Sequence, residues 1–473
     1  MSSSPSDSVQ CLDPPREMRT SGSGSGSPHV AVLAFPFGTH AAPLLAVIRR
    51  LASATPDTLY SFFSTADSIA SVFSAYRHLP NLRAYHVGAG VPEGHVRVGK
   101  PEEDIELFLR AAPASFRKGM ERAVAETGRR VSCLVTDAFF WFAADMAAEM
   151  ELPWVAFWTA GPASLSAHLY TEHIRQTLGA SLGMDGRADE TLQFIPGMSK
   201  IRIRDLPEGV VFGNLDSLFS RMLCDMGRAL PRAAAVFLNS FEELDPTITA
   251  DLKSKLNNFL NVGPFNLIAT QPRAPDESKC MSWLDGQGRA SVAYISFGSV
   301  TVPPREEIVE LAEALEASRV PFIWSLKDHL IETLPEGFLK GTETRGMVVA
   351  WAPQEEILRH DAVGAFITHC GWNSLLESIG GGGVAMICRP FFGDQRLNGR
   401  MMEEVWGLGV GIEGGVFTKK AVLSCSQLLL AQERGKIMRD NTRTLRQQAE
   451  KAVGPDGSST HNFKLLLDIV SNP

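Results

Sequence analysis

From His29 onward, short apolar runs rich in β-branched and aromatic residues alternate with stretches whose apolar positions recur at helical spacing. The pattern predicts strands over 29–35, 59–64, 82–87, 132–136, 154–158 and 235–239. Helices are expected over 41–54, 66–76, 102–127, 141–150, 215–229 and 242–256, with one more after the strand at 154–158. Residues 182–206 are less regular and read as a surface excursion near a cleft. A second series begins at Val262-Gly263-Pro264, after which 270–277, with two prolines, reads as a linker. It continues with a helix near 280–284, a strand at 292–297, a helix at 305–318 and strands at 321–326 and 347–350. A strand at 363–368, a helix at 372–379, a strand at 384–388, a helix at 395–406 and a helical tail complete the chain. Strands that alternate with helices call for parallel sheets covered on both faces, so the fold class is α/β, with two doubly wound domains facing one another. The expected division is a leader at 1–28, a first domain over 29–258 and a second over 259–455.

Composition narrows this picture. The chain has 473 residues, enough for more than one core, with a formal charge of −8 that argues against a nucleic-acid or anionic-membrane surface. Its seven cysteines are scattered and form no C-x-x-C pair, so neither a disulfide framework nor a zinc site is suggested, and a reducing, cytoplasmic setting follows. Cys370 and Cys388 are expected to act as small buried hydrophobes. No uncharged apolar run reaches the roughly 18 residues of a membrane span, so no membrane insertion is expected. The leader is rich in Ser, Gly and Pro, lacks the apolar core of a signal peptide and is expected to be disordered.

The most informative chemistry lies between Trp351 and Gln395. The strand at 363–368 ends in His369-Cys370-Gly371 and leads directly into a helix carrying Asn373 and Ser374 at its start. Such a helix aims unpaired N–H groups and the positive end of its dipole at whatever lies above the strand, which suits a phosphate. Glu377 sits one turn on and could accept from ribose hydroxyls. Asp394 and Gln395, after a Pro-Phe-Phe-Gly turn, suit the vicinal hydroxyls of a sugar. A nucleotide-sugar fits the whole set. In the first half, His40 follows the first strand and Asp137 the fourth, both beyond the carboxyl ends of the sheet where ligands bind. A histidine backed by a carboxylate can take a proton near neutral pH, although a lone histidine and a helix-capping aspartate also have ordinary structural uses.

The run from Trp351 to Gln395 resembles the signature box of plant family-one UDP-sugar glycosyltransferases, through W-x-P-Q, H-C-G-W-N-S, E-S and the closing D-Q. The resemblance covers nearly all of the chain from His29. It implies the two-Rossmann, GT-B arrangement, with the last helix, within 456–473, crossing back onto the first domain. His40 matches the catalytic base of the F-P-F-x-T-H loop and Asp137 its orienting acid in L-V-x-D-A-F. An inverting displacement giving a β-glucoside is then implied, with the departing diphosphate held by the helix starting at Gly371 and by His369, Asn373, Ser374 and Ser299. Trp351 matches the tryptophan on which uracil stacks, with Ala352 and Gln354 beside it. Trp372 matches a residue beside the sugar, and Thr159 a sugar contact from the first domain. Gln395, where galactose users often carry His, favours UDP-glucose as donor; no cofactor is implied, and no metal, in keeping with the lack of a D-x-D pair. FPFGTHAAPLL, FIPGMSK and RPFFGDQRLNGRMMEE read like the flavonoid 3-O-glucosyltransferase branch, which implies a flavonol or anthocyanidin acceptor and a monomer. Gly38, His40, Phe139 and Phe392 are the expected acceptor contacts, with Phe35 and Phe140 as further wall candidates; core packing explains at least two of these phenylalanines equally well. The alternatives are another plant phenol or hydroxylated metabolite as acceptor, or a weakly active or silent member. A dinucleotide-dependent oxidoreductase would need a G-x-G-x-x-G after the first strand, where Pro36-Phe37-Gly38-Thr39 stands.

One departure from the family stands out. The box is one residue longer than usual, the surplus falls in Gly380 to Gly383, and Ala385 replaces the usual proline. The extra residue is expected to bulge out as a loop at the amino edge of the sheet, opposite the nucleotide. Arg389 to Gln395 should keep their register, and the cost should fall on stability.

Overall fold

The computed structural model describes residues 27–74, 78–96, 102–178, 186–268 and 278–472. The leader except its last two residues, the linker at 270–277 and residues 182–185 of the excursion lie outside the described residues. The first sheet holds β1 (His29–Leu33), β2 (Leu59–Ser64), β3 (Leu82–His86), β4 (Cys133–Asp137), β5 (Trp154–Trp158), β6 (Ala235–Leu238) and β7 (Phe259–Asn261), in the order β3-β2-β1-β4-β5-β6-β7. The second holds β8 (Val292–Ser296), β9 (Phe322–Ser325), β10 (Gly346–Val349), β11 (Val363–Thr368), β12 (Ala385–Cys388) and β13 (Gly409–Gly411), in the order β10-β9-β8-β11-β12-β13. All pairings in both sheets are parallel.

Strand order locates the chemistry. It reverses between β1 and β4 in the first sheet and between β8 and β11 in the second, so the loops leaving these strands diverge and open a crevice at their carboxyl ends. His40 follows β1 and Asp137 ends β4; Ser299 follows β8 and His369 follows β11. Strands buried on both faces are largely apolar, and every residue of β1, β2, β4, β5 and β11 is buried. Helix Ala41–Ala54 covers one face of the first sheet with Leu44, Leu45, Ile48 and Leu51, a helical stripe.

The last helix, Ser458–Ser471, brings Phe463, Leu466 and Val470 into the core formed by Val30, Val32, Phe157 and Phe237 of the first sheet. Each such side chain, once buried, contributes about 1.5–3 kcal/mol. Asn462 adds a hydrogen bond from its amide to the Asn261 carbonyl at 3.0 Å.

Several expectations need correcting. β7 pairs with β6, Val236 opposite Phe259, so the first sheet extends past the boundary expected at residue 258; a strand of three residues is too short to show periodicity. The helix expected over 242–256 is a short turn, Glu242–Leu244, followed by a helix Pro246–Lys255. Pro246 disfavours helical backbone at the residue before it, and Asp245 sits at φ −138°, ψ 72°. Cys370 and Cys388, expected to be separate hydrophobes, are joined as a disulfide at the ends of neighbouring strands, with Cα atoms 5.7 Å apart.

The glycine segment does not bulge outward. Helix Trp372–Gly380 ends as the Gly381 N–H bonds the Ser378 carbonyl at 3.2 Å and the Gly382 N–H bonds the Leu358 carbonyl at 2.8 Å. The Gly381 carbonyl accepts from Arg446, and Gly383, at φ +89°, lies under the Arg443 side chain. Gly381 and Gly383 are buried. The segment does enter β12 at its amino end, away from the carboxyl-end crevice. Beyond β12 the Arg389 N–H bonds the Thr368 carbonyl at 2.9 Å, which sets the start of the Pro390–Asp394 loop against β11.

Candidate functional site

On the first domain, three neighbouring strands deliver one cluster. The chain leaving β1 turns at Gly38, with φ +61°, and presents His40 where helix Ala41–Ala54 begins. His40 Nδ1 lies 2.8 Å from Asp137 Oδ2 and 3.3 Å from Thr159 Oγ1, just past β5. Asp137 is 1% exposed, and its other oxygen accepts from the Phe139 N–H at 2.9 Å. A carboxylate at Nδ1 favours a proton there and leaves Nε2 with the lone pair; among the described residues Nε2 has no protein partner. The imidazole packs between Phe139 and Phe35, with ring centres 4.5 and 5.0 Å away. Phe35 and Phe140 are core residues, 2% and 0% exposed, whereas Phe392 is 49% exposed. Phe139 is also buried, at 8% exposed, in the same core, so of the expected aromatic walls only Phe392 stands open to a ligand.

The second domain supplies a different set. Trp351, just past β10, is 68% exposed and offers a ring face; Ala352 beside it is buried, so only its backbone could serve a ligand. Gln354 donates to Ser374 Oγ at 3.1 Å and to Glu377, and accepts from the Tyr294 hydroxyl at 3.1 Å. Burial pushes the Glu377 carboxyl up to about 7, opposed by the Gln354 hydrogen bond. His369 is wedged between glycine backbones: a Cβ on Gly371 would sit 2.4 Å from its Nε2, and one on Gly298 3.0 Å from its Cε1. Its Nδ1 is buried and has no partner among the described residues, and burial lowers the imidazole to about 4, so it stays neutral at pH 7. Helix Trp372–Gly380 has no side-chain cap at Gly371, which leaves its first N–H groups, including those of Asn373 and Ser374, for another acceptor. Ser299 is exposed, and Lys327 holds its carbonyl at 2.8 Å.

Asp394 is pushed upward by burial, and the hydrogen bond from Asn398, at 2.8 Å, opposes that push. Asn398 also donates to the Cys370 carbonyl at 3.1 Å and so ties the two loops together. Arg389, whose guanidinium forks onto Glu307 with Nε to Oε2 at 2.9 Å, anchors the loop at its other end.

Two expected roles are narrowed by these contacts. Gln395 is 5% exposed, and its Oε1 accepts from the N–H groups of Phe391 at 2.8 Å and Phe392 at 3.2 Å, so only Nε2 is left for a sugar. The Trp372 indole donates to the Asn239 carbonyl at 2.7 Å and packs on Gly161, which places the ring at the junction of the two domains with its N–H taken. Arg389, Glu307 and Tyr294 were given no role in the site by the sequence because each acts through a partner distant in sequence, and Asn398 because its tie to the Cys370 carbonyl spans 28 positions.

An open cavity of about 590 Å³, lined by Asp57, Asn81, Arg83 and Arg129 among others, lies at the amino-terminal end of the first sheet and holds none of these groups. Among the described residues no three His, Cys, Asp or Glu side chains converge as a metal site, and no helix is long and apolar enough to cross a membrane.

Residues 111–446 match the family described as UDP-glucoronosyl and UDP-glucosyl transferase. The chain is 64% identical over 449 residues to the anthocyanidin 3-O-glucosyltransferase UFGT of Vitis vinifera, spanning 94% of this chain and 98% of that one. It is 56% identical over 449 residues to a flavonol 3-O-glucosyltransferase of Arabidopsis thaliana, spanning 94% and 97% respectively. In structure it is similar to a UDP-glucose: anthocyanidin 3-O-glucosyltransferase crystallised in complex with UDP, with a TM-score of 0.88, 42% identity and coverage of 94% of this chain and 99% of that one.

Proposed function

The chain belongs to the family of UDP-glucoronosyl and UDP-glucosyl transferases, and from that premise we propose that it moves glucose from UDP-glucose to the 3-hydroxyl of a flavonol or anthocyanidin. His40 Nε2 takes the proton of the acceptor hydroxyl as that oxygen attacks the anomeric carbon from the face opposite UDP. The bond from that carbon to the diphosphate breaks, UDP leaves with the electron pair, and a β-glucoside results. Asp137 stabilises the imidazolium that forms. Uracil stacks on Trp351, and Glu377 reads the ribose. The departing charge is assigned to the N–H groups at Gly371 to Ser374, with His369 and Ser299, and without a metal ion. Asp394 and the free Nε2 of Gln395 hold the sugar, and Thr159 meets it from the first domain. The acceptor occupies a slot beside Gly38, His40, Phe139 and Phe392. The protein is assigned to the cytoplasm as a monomer.

The observation that carries this reading is the His40–Asp137 pair, with a free Nε2, at the carboxyl ends of β1 and β4, where the strand order of the first sheet reverses. The altered glycine segment does not count against activity, because it enters β12 at the opposite end. The deciding experiment assays UDP-glucose and UDP-galactose with a panel of flavonols, anthocyanidins and other phenols. The expected product is a flavonoid 3-O-β-glucoside, identified by mass and by the anomeric proton coupling; no turnover with any flavonol or anthocyanidin rejects the acceptor assignment.

A further inference from the structure

The reacting groups come from two domains, and side chains that the proposed reaction does not use fasten one domain to the other. Helix Gln395–Glu404 carries Asp394 and Gln395 at its start. Further along, Arg400 donates from Nε to the Lys200 carbonyl at 3.0 Å and stands 3.7 Å from Asp205, which Arg202 also pairs at 2.8 Å. Just past the helix, Trp406 donates from its indole to Asp245 Oδ1 at 3.0 Å, and the two side chains are 9% and 5% exposed. Lys200, Asp205 and Asp245 all belong to the first domain, between β5 and β6 or directly after β6. Among the described residues the second oxygen of Asp245, which is buried, has no partner, and burial pushes this carboxyl up to about 7. Burying a half-satisfied carboxyl is unfavourable, so this contact opposes stability unless something else is gained.

We propose that Trp406 and Arg400 are positioning residues for glucosyl transfer: they hold the helix that presents Asp394 and Gln395 against the first domain and so fix the anomeric carbon at its working distance from His40. The proposal rests on the donor assignment above. Helices are stiff over this length, so anchoring the far end at Arg400 and Trp406 restrains the near end at Gln395. A misplacement of about 1 Å in such a site is worth up to roughly 100-fold in rate. UDP itself is held by Trp351, Glu377 and the helix beginning at Gly371, all in the second domain; Trp406 packs on Trp372 at the start of that helix, with ring centres 6.3 Å apart, and the ring kept in Trp406→Phe retains that contact, so UDP affinity should not register the loss.

The test compares Trp406→Phe, which keeps a ring and removes the N–H, with Arg400→Met, Asp245→Leu and Asp245→Asn. Trp406→Phe, Arg400→Met and Asp245→Leu are each expected to lower kcat about tenfold, with UDP affinity by calorimetry unchanged within about twofold. Backbone hydrogen exchange over 395–404 should quicken in all three. Asp245→Asn keeps the accepting oxygen and should restore both kcat and slow exchange, and Trp406→Phe combined with Asp245→Leu should be no worse than either alone. Unchanged kcat and unchanged exchange in folded Trp406→Phe and Arg400→Met overturn the proposal. So does a loss of UDP affinity that matches the loss of rate. If the unaltered protein glucosylates no acceptor, the functional assignment falls, whereas hydrogen exchange over the helix still decides whether these residues anchor it.

Discussion

The two sides of the crevice differ in how complete they are without a ligand. On the first domain the atoms that orient the base satisfy one another and leave its Nε2 open: Asp137 accepts from Phe139 and pairs with His40 Nδ1, and Thr159 closes the cluster. On the second domain the partners are missing. Among the described residues His369 Nδ1 is buried and unpaired, the first N–H groups of helix Trp372–Gly380 lack a side-chain cap, and Trp351 lies largely open. A base must be oriented before its substrate arrives, so its neighbours are built in. A site for a diphosphate instead keeps donors unfilled, because the ligand brings the acceptors and the charge. Breaking the first side should therefore damage rate alone, while removing a donor to the diphosphate on the second should reach UDP binding.

The strongest test of that division removes the base. His40→Ala should lower turnover by roughly 100- to 10,000-fold while UDP affinity, measured by calorimetry, stays nearly intact. Turnover close to that of the unaltered protein would sink the mechanism.

Gln395 sharpens the donor side because its amide has two jobs. Its Oε1 holds the Phe391 and Phe392 N–H groups, and its Nε2 is free for the sugar. Gln395→Ala should cost about 1–3 kcal/mol in kcat/KM with UDP-glucose and leave UDP binding as it was. Gln395→Glu retains an oxygen for the loop and lacks the donor. Recovery in Gln395→Glu would assign the residue to the loop, whereas continued loss would assign it to the sugar.

Asp245 gives a smaller effect with a definite sign. Its folded-state pKa of about 7 lies above the unfolded value near 4, so between those pH values the folded protein keeps a proton that the unfolded chain has lost. This group's contribution to stability therefore falls as pH rises from about 4 to about 7 and is level above that. Asp245→Asn removes the fall. The melting temperature of Asp245→Asn relative to the unaltered protein should climb between pH 4.5 and 7.5, an effect of order 1 kcal/mol. Glu377 has a similar upward push, but it is common to both proteins and cancels in the difference. A difference that stays constant or shrinks over that range contradicts a buried, protonated Asp245.

These residues also mark what could be read from the chain alone. The strand ends that place His40 and Asp137 were legible because buried parallel strands are continuous apolar runs, and the residue after such a run necessarily lies at the carboxyl edge. The division of the phenylalanines was not. Phe35 and Phe392 both sit in Pro- and Gly-rich loops, yet one is 2% and the other 49% exposed, a difference made by helices and strands remote in sequence. The same holds for Trp406 and Asp245, which meet across 161 positions, and for β7, whose three residues gain strand character only by pairing with β6. The loop at Gly380 to Gly383 was misread for a related reason. Glycine-rich text signals conformational freedom, but Arg443, Arg446 and the Leu358 carbonyl take that freedom away.

That segment supplies the smallest and most local prediction. Deleting Gly381, attractive if the surplus residue were an outward bulge, would remove the carbonyl that Arg446 holds and the N–H that closes the donor helix on Ser378, so it should destabilise. The three glycines at the turn are not equivalent. A Cβ at Gly381 would stand 2.5 Å from the Leu358 carbonyl oxygen, and one at Gly383 would meet Arg443 at 2.6 Å in a residue already at φ +89°. At Gly382 the nearest atom would be 3.4 Å away, an ordinary contact, and φ is not positive. Alanine there restricts the unfolded chain without clashing in the folded one, which is typically worth about 0.4–1 kcal/mol. Gly382→Ala should therefore raise the melting temperature slightly, and Gly381→Ala and Gly383→Ala should lower it. Turnover should be the same in all three, since the turn lies at the end of β12 away from Asp394. A change in turnover of tenfold or more in Gly382→Ala would mean instead that the turn communicates with the donor helix it terminates.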